Sequence, residues 1–205
     1  MLRRFLLGIM VLSLASLAWA GVPDLSLSTA SIDPAADGAS VFIIPNGQGA
    51  SFDQAVLPGG NIVDATITLE LLDTDGNAIF GYPFEDMWIE TTGGTFTPCA
   101  GNATADASTD EMGMTEWQLP LTAGGNSAGE QVVVYVAGSP LAGGGINLTF
   151  NGPDMNGDLE INISDIGTFT PMIGTDTYEG DFNYDGTVNI SDIGLFTPGI
   201  GTSCP

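Results

Sequence analysis

A mainly β domain followed by a small cation-binding module with two short helices is the architecture this sequence predicts, on three observations. From residue 21 to about 150, short runs of branched and aromatic residues alternate with Gly, Pro, Asn and Asp clusters. Residues 151–205 carry one polar segment twice, 27 positions apart. Both basic residues, Arg3 and Arg4, fall within the first twenty positions, so the 25 acidic residues that follow face no Lys, Arg or His.

Residues 1–20 read M-L-R-R-F-L-L-G-I-M-V-L-S-L-A-S-L-A-W-A, a basic start, an apolar stretch and a small-x-small cleavage signal at Ala18-Trp19-Ala20. This is an export signal, and the expected location is secreted, extracellular or on a bacterial cell surface. A membrane anchor is the alternative, against which stand the short apolar run and the interruptions at Ser13 and Ser16. No later segment is apolar enough to span a bilayer.

Residues 21–150 are sized for one sandwich domain. The predicted strands cover 25–27, 40–44, 64–71, 87–91, 114–119, 131–136 and 146–150, each bounded by turn formers. Residues 64–72 alternate apolar and polar positions, as a half-buried antiparallel strand does. Asp75-Gly76 and the stretch 110–113 are tight-turn signals. Residues 63–84, V-D-A-T-I-T-L-E-L-L-D-T-D-G-N-A-I-F-G-Y-P-F, and 109–119, T-D-E-M-G-M-T-E-W-Q-L, resemble the strand and turn pattern of bacterial immunoglobulin-like domains of the invasin and intimin type. The resemblance implies an immunoglobulin-like β-sandwich serving as a spacer or adhesion module, and no reaction.

Charge excludes whole classes of function. Without cationic side chains there is no counterion-releasing surface for nucleic acid and no phosphate clamp. There is also no imidazole or amine for acid–base or nucleophilic catalysis, so any chemistry would fall to carboxylates or a bound metal. Glu85, Asp86, Glu90, Glu111 and Glu116 offer carboxylate pairs of the glycosidase kind, with solvated surface positions as the alternative. Trp88 and Trp117 read either as packing between the sheets or as an aromatic platform for carbohydrate. Cys99 and Cys204 permit one intramolecular disulfide, which export would preserve; sequence leaves open whether their backbones approach.

Aligned at Asp154 and Asp181, the repeat reads D-M-N-G-D-L-E-I-N-I-S-D-I-G-T-F-T-P-M-I-G over D-F-N-Y-D-G-T-V-N-I-S-D-I-G-L-F-T-P-G-I-G, identical at fourteen of twenty-one positions. Oxygen-bearing side chains fall at loop positions 1, 3, 5, 9 and 12, the places from which a twelve-residue loop wraps a hard cation. These are Asp154, Asn156, Asp158, Asn162 and Asp165, then Asp181, Asn183, Asp185, Asn189 and Asp192. Position 7, Glu160 or Thr187, offers its backbone carbonyl. Three carboxylates within ~4 Å repel by about 4 kcal/mol per pair at an effective dielectric of 20, and this chain has no side-chain cation to relieve it. Two Ca²⁺ are therefore expected, since Mg²⁺ demands a tighter octahedral shell; solvated Asx turns are the plain alternative. Ile161 and Val188, at position 8, are expected to pair the two loops back to back.

The doubled D-x-N-x-D-x-x-x-N-x-S-D spacing, over residues 151–201, resembles the dockerin family of duplicated half EF-hands. The resemblance implies a module that plugs into a cohesin-type partner through positions 10 and 11, here Ile163 and Ser164, and Ile190 and Ser191. Departures from the family pattern are the missing basic residues on the helices, Pro171, Pro198, Gly167 and Gly194 within or after them, and Leu159 where loop position 6 usually holds Gly, with Gly157 nearby to take up the bend.

The expected function is a noncatalytic secreted protein attaching to another extracellular protein in a calcium-dependent way. Two alternatives stand beside it. One is an accessory or catalytic component of polysaccharide degradation, which the dockerin resemblance brings in. The other is a structural surface or adhesion protein in which calcium only stabilises, and Phe169 and Phe196 packing onto the first domain would favour it. Chelation is expected to unfold the chain from about Asn151 and leave the sandwich intact.

Overall fold

A computed structural model describes residues 21–205 apart from 102, 128 and 130, so the expected export signal at 1–20 lies outside the described residues. Among those, twelve short strands come first: β1 (Thr29–Ser31), β2 (Ala39–Phe42), β3 (Ala55–Leu57), β4 (Asn61–Val63), β5 (Ile67–Glu70), β6 (Met87–Thr91), β7 (Thr97–Pro98), β8 (Met114–Trp117), β9 (Ala123–Gly124), β10 (Val132–Val136), β11 (Ser139–Pro140) and β12 (Leu148–Asn151). Helices α1 (Ile163–Phe169) and α2 (Ile190–Phe196) follow.

The fold is mainly β. Its sheets run β1-β5-β8, β11-β10-β6 and β12-β2-β3-β4, with β7 and β9 paired separately. All strand pairings are antiparallel except β12 with β2, which run parallel with Leu148 opposite Ala39 and Phe150 opposite Val41. Alternation decides what each strand buries. In β6, Met87 and Ile89 point in while Trp88 and Glu90 point out; in β10, Val132, Val134 and Val136 point in. These residues meet Val41, Phe52, Ile67, Leu69, Trp117, Leu148 and Phe150 in one core, an arrangement consistent with a β-sandwich.

A second apolar cluster lies under the repeat. Ile161, Phe169, Phe182, Val188 and Phe196 are buried together with Ile44 and Met155, and Phe42 packs against them. The two clusters adjoin at β2, whose Val41 belongs to the first and whose Phe42 touches the second. Phe42 and Phe182 lie 5.9 Å apart between ring centroids.

Several strand expectations need correction. Residues 25–27 form a turn, because Asp24 accepts the Ser26 N–H at 2.9 Å and its carbonyl takes the N–H groups of Leu27 and Ser28. An Asx turn of this kind overrides the β preference of two leucines. Pairing in 64–71 begins only at Ile67, since Asp64 accepts the Thr66 N–H. The hairpin of β3 and β4 went unpredicted, although Pro58-Gly59-Gly60 between two apolar runs signals it.

Candidate metal centre

Each repeat folds as a loop closed by the helix that follows it. Asn162 caps α1 by accepting the Ser164 N–H, and Asp165 reaches back to the Asn162 N–H at 2.8 Å, forming a capping box. Asn189, Ser191 and Asp192 repeat the arrangement on α2. Both helices stop after seven residues and pass into a 3₁₀ turn containing Pro171 or Pro198, whose missing N–H ends the α ladder.

The aspartates at loop positions 1 and 12 are held by backbone N–H groups. Asp154 accepts from Gly157 at 2.9 Å, Asp158 at 3.2 Å and Leu159 at 2.9 Å. Asp181 accepts from Asp185 at 3.0 Å and Gly186 at 2.8 Å. Asp165 takes the N–H groups of Met155 and Asn156, and Asp192 those of Phe182 and Asn183, so position 12 ties the start of each loop to its helix. Asp158 and Asp185 are exposed and accept from the side-chain amides of Asn156 and Asn183. Glu160 and Thr187 at position 7 are exposed, and the Thr187 carbonyl accepts from the Asn189 amide at 2.7 Å.

Burial separates these carboxylates from every other in the described chain. Asp154, Asp165, Asp181 and Asp192 are the buried acidic residues, the first and last of each loop, at 0 to 3 % exposure. Burial pushes the Asp154 carboxyl up to about 6, opposed by its N–H donors and reinforced by the charges of Asp165 and Asp158. Asp181 is raised for the same leading reason, loss of water, with Asp192 and Asp185 adding to it. Among the described residues no group of three or more His, Cys, Asp or Glu side chains is assembled to hold a metal ion. The buried carboxylates are turned onto backbone donors, and the remaining oxygens of each loop come from exposed Asp, Glu, Thr and Ser side chains, from Asn side chains and from carbonyls. The set contains only oxygen and no cationic neighbour, which suits a hard divalent cation.

Both loops bend through left-handed backbone at positions 4 and 6. Loop one uses Gly157 (φ 71°) and Leu159 (φ 69°); loop two uses Tyr184 (φ 54°) and Gly186 (φ 95°). Leu159 thus adopts the strained conformation itself, and Gly157 does not take up the bend for it.

Position 8 also differs from expectation. Ile161 and Val188 are fully buried together, but their backbones do not pair with each other. Ile161 exchanges hydrogen bonds with Gly201 and Thr202 after α2, while Val188 exchanges them with Gly174 and Thr175 after α1. Each loop is therefore clasped by the segment that follows the other loop's helix.

The β domain touches both loops at residues that sequence reasoning missed. Gly125 donates its N–H to the Asp154 carbonyl at 3.0 Å, and Gly59 donates to the Tyr184 carbonyl at 2.7 Å. Asn151 Nδ2 donates to the carbonyls of Tyr178 and Asp181, and the Tyr178 hydroxyl bonds Ser40 and the Phe150 carbonyl. Cys99 and Cys204 are disulfide-bonded, with Cα atoms 5.8 Å apart. Contacts this distant in sequence leave no local pattern to read. They also couple any unfolding of the repeat to the surface it shares with the β domain.

Of the remaining candidates, Ile163 and Ile190 are each 77 % exposed, with Ser164 and Ser191 exposed beside them. Trp117 is buried in the core and donates its indole N–H to the Ala103 carbonyl. Trp88 does not pack between the sheets; it lies half-buried on the outward face of β6. Glu85, Asp86, Glu90, Glu111 and Glu116 are all exposed; Glu85 and Glu90 share one cleft, whereas Glu116 lies on β8 in a different sheet.

No family model and no curated protein matches the chain. Among solved structures it is similar to the Lin-41 filamin domain, at 12 % identity over 62 % of this chain and 95 % of that one, with a TM-score of 0.31. Likeness at that level carries neither fold nor function across. Among the described residues no helix is long and apolar enough to cross a membrane.

Proposed function

We propose that this chain is a secreted, noncatalytic protein whose C-terminal, dockerin-like repeat binds two Ca²⁺ and attaches the chain to another extracellular protein, an immunoglobulin-like sandwich acting as spacer or adhesion module. One observation carries the calcium reading. The four buried carboxylates of the described chain are the first and last aspartates of two duplicated loops, and no side-chain cation follows Arg4 to neutralise them. A buried anion without a counter-charge is expensive even when backbone donors answer it, and a divalent ion held by the loop would offset that cost. The attachment reading rests on Ile163 and Ile190, two equivalent apolar side chains left 77 % exposed at the helix starts.

Calorimetric titration of the secreted chain with CaCl₂ tests the first part. Two ions per chain are expected, with one lost in Asp154→Ala and one in Asp181→Ala; no heat of binding overturns it. A purified cohesin domain, assayed in calcium and in EGTA, tests the second part. Calcium-dependent binding lost in the Ile163→Asp, Ile190→Asp double variant is the supporting result, and no binding refutes the cohesin assignment.

A second reading has its own observation. The repeat packs on the β domain through Phe42 and Phe182 and is cross-linked to it by Cys99–Cys204. Calcium would then stiffen a structural surface protein. A large fall in thermal midpoint on chelation, with no protein partner bound in calcium, distinguishes it.

A further inference from the structure

The outward face of β6 borders a cleft whose walls include none of the proposed calcium-loop residues. We propose that this cleft binds a neutral oligosaccharide or polysaccharide chain, stacked against the Trp88 indole. Its volume is about 500 Å³, within the size range of small-molecule sites, and its walls mix apolar and polar groups, including Trp88, Phe96, Glu85, Glu90 and Thr104.

The indole is fixed before any ligand arrives. Its Nε1 donates to Glu90 Oε1 at 2.8 Å, two residues along on the same face. Tyr135, directly opposite on β10, stacks on it at 8° with centroids 5.7 Å apart. Tyr135 is not among the walls of the cleft, so it backs the indole while Trp88 keeps a share of the cleft surface. The opposite wall is equally held. Thr104 bridges Trp88 across the strand edge, the Ile89 N–H bonds the Ala103 carbonyl, and Cys99 is anchored by its disulfide. A cleft built this way loses little conformational freedom on binding.

The ligand class follows from what the walls can and cannot do. With no Lys, Arg or His after Arg4, nothing compensates a phosphate, sulfate or uronate, and Glu85 and Glu90 repel one. A purely apolar ligand would strip water from those carboxylates and return no hydrogen bond. A small ammonium group would meet one ring, already backed by tyrosine, in a cleft much larger than itself. A neutral pyranose satisfies every wall: its C–H face meets the electron-rich indole, and its hydroxyls donate to the carboxylates and exchange hydrogen bonds with Thr104. The proposal concerns binding alone, and neither Glu85 nor Glu90 is assigned a reaction.

The full secreted chain is titrated with cello-, xylo-, manno- and malto-hexaose in 50 and 500 mM NaCl, following the two indole N–H resonances of Trp88 and Trp117 by ¹⁵N NMR. At least one hexaose is expected to shift the Trp88 resonance while Trp117 stays put, with a dissociation constant that salt changes less than twofold. Trp88→Ala weakens binding at least tenfold and Glu90→Gln three- to tenfold, whereas Ile163→Asp with Ile190→Asp changes nothing. The idea is overturned if no hexaose moves the Trp88 resonance in the unmodified chain, which needs no variant to fold. It is equally overturned if a folded Trp88→Ala retains full affinity, or if binding disappears at 500 mM NaCl.

Discussion

Gly124→Ala is expected to remove the proposed calcium from the first loop without substituting any proposed ligand. Gly124 ends β9 with an ordinary negative φ, so alanine strains no backbone there. Its added Cβ would, however, sit 1.9 Å from Asp154 Oδ2 and 2.8 Å from Asp154 Cγ. Ordinary contact begins near 3.4 Å, so the carboxylate must retreat by about 1.5 Å. It is held by three backbone N–H groups, and losing two charge-assisted bonds of about 1.5 kcal/mol each destabilises the metal-free loop by about 3 kcal/mol. A position-1 ligand displaced that far no longer reaches an ion held by the other oxygens, so first-loop affinity falls at least ~100-fold, about 2.7 kcal/mol. The second loop is the internal control, since a Cβ on Gly60 would come no closer than 3.5 Å to it. Calorimetry should therefore change from two sites to one. Two ions still bound with unchanged affinities would refute the coupling between β9 and the loop.

The pH dependence of the metal-free chain tests Asp154 directly. Its folded pKa lies above the unfolded value, so ionising it costs the fold; this group's contribution to stability is full below pH 4 and is lost, by about 2 to 3 kcal/mol, as pH rises to about 6. Denaturant titrations in EGTA should show this fall in wild type and its loss in Asp154→Asn, while first-loop calcium affinity in wild type weakens below pH 6. Gly186→Ala has open space around its methyl group but is held at φ 95°, so denaturation should report a loss of about 1 to 2 kcal/mol despite the absence of any clash. Leu159→Gly, at the equivalent position, should gain roughly 0.5 to 1 kcal/mol in the same assay. Reduction of Cys99–Cys204, which closes a separation of 105 residues, should cost about 2 to 5 kcal/mol, measured by urea unfolding with and without dithiothreitol.

What the sequence could reveal was set by how local the chemistry is. A loop's hydrogen bonds lie within twelve residues, so the spacing of Asp154, Asn156, Asp158, Asn162 and Asp165 could be read directly, and its near-copy from Asp181 removed chance as an explanation. The branched and aromatic run at 87–91 likewise marked β6 to the residue, but it did not show that Trp88 faces outward while Met87 and Ile89 are buried. The misreading at 25–27 came from weighing Leu25 and Leu27 above Asp24, whose carboxylate closes a turn. The swapped clasp of Ile161 with Gly201 and of Val188 with Gly174 could not be read, because both partners of each pair were apolar or glycine and no pattern distinguishes one pairing from the other. Gly59, Gly60, Gly124 and Gly125 were illegible as loop contacts for a further reason: among 29 glycines, nothing in the sequence marks those that touch a loop.

A chain with no cation after Arg4 cannot stabilise itself by ion pairing, so every carboxylate must be either wet or answered by backbone donors or an ion. The β domain keeps its described carboxylates at least partly in water, and the repeat buries four. Within each loop those burials do different work. Asp165 and Asp192 belong to capping boxes, so burying them secures a helix start. Asp154 and Asp181 cap no helix, and burial raises both pKa values, which marks them as groups the fold holds at a cost. Such a cost is sustained where something outside the chain repays it, and the oxygen-only surroundings select a divalent hard cation for that role. If calcium binds as proposed, the first aspartate of each loop, more than the last, is the residue through which it would stabilise the disulfide-linked unit.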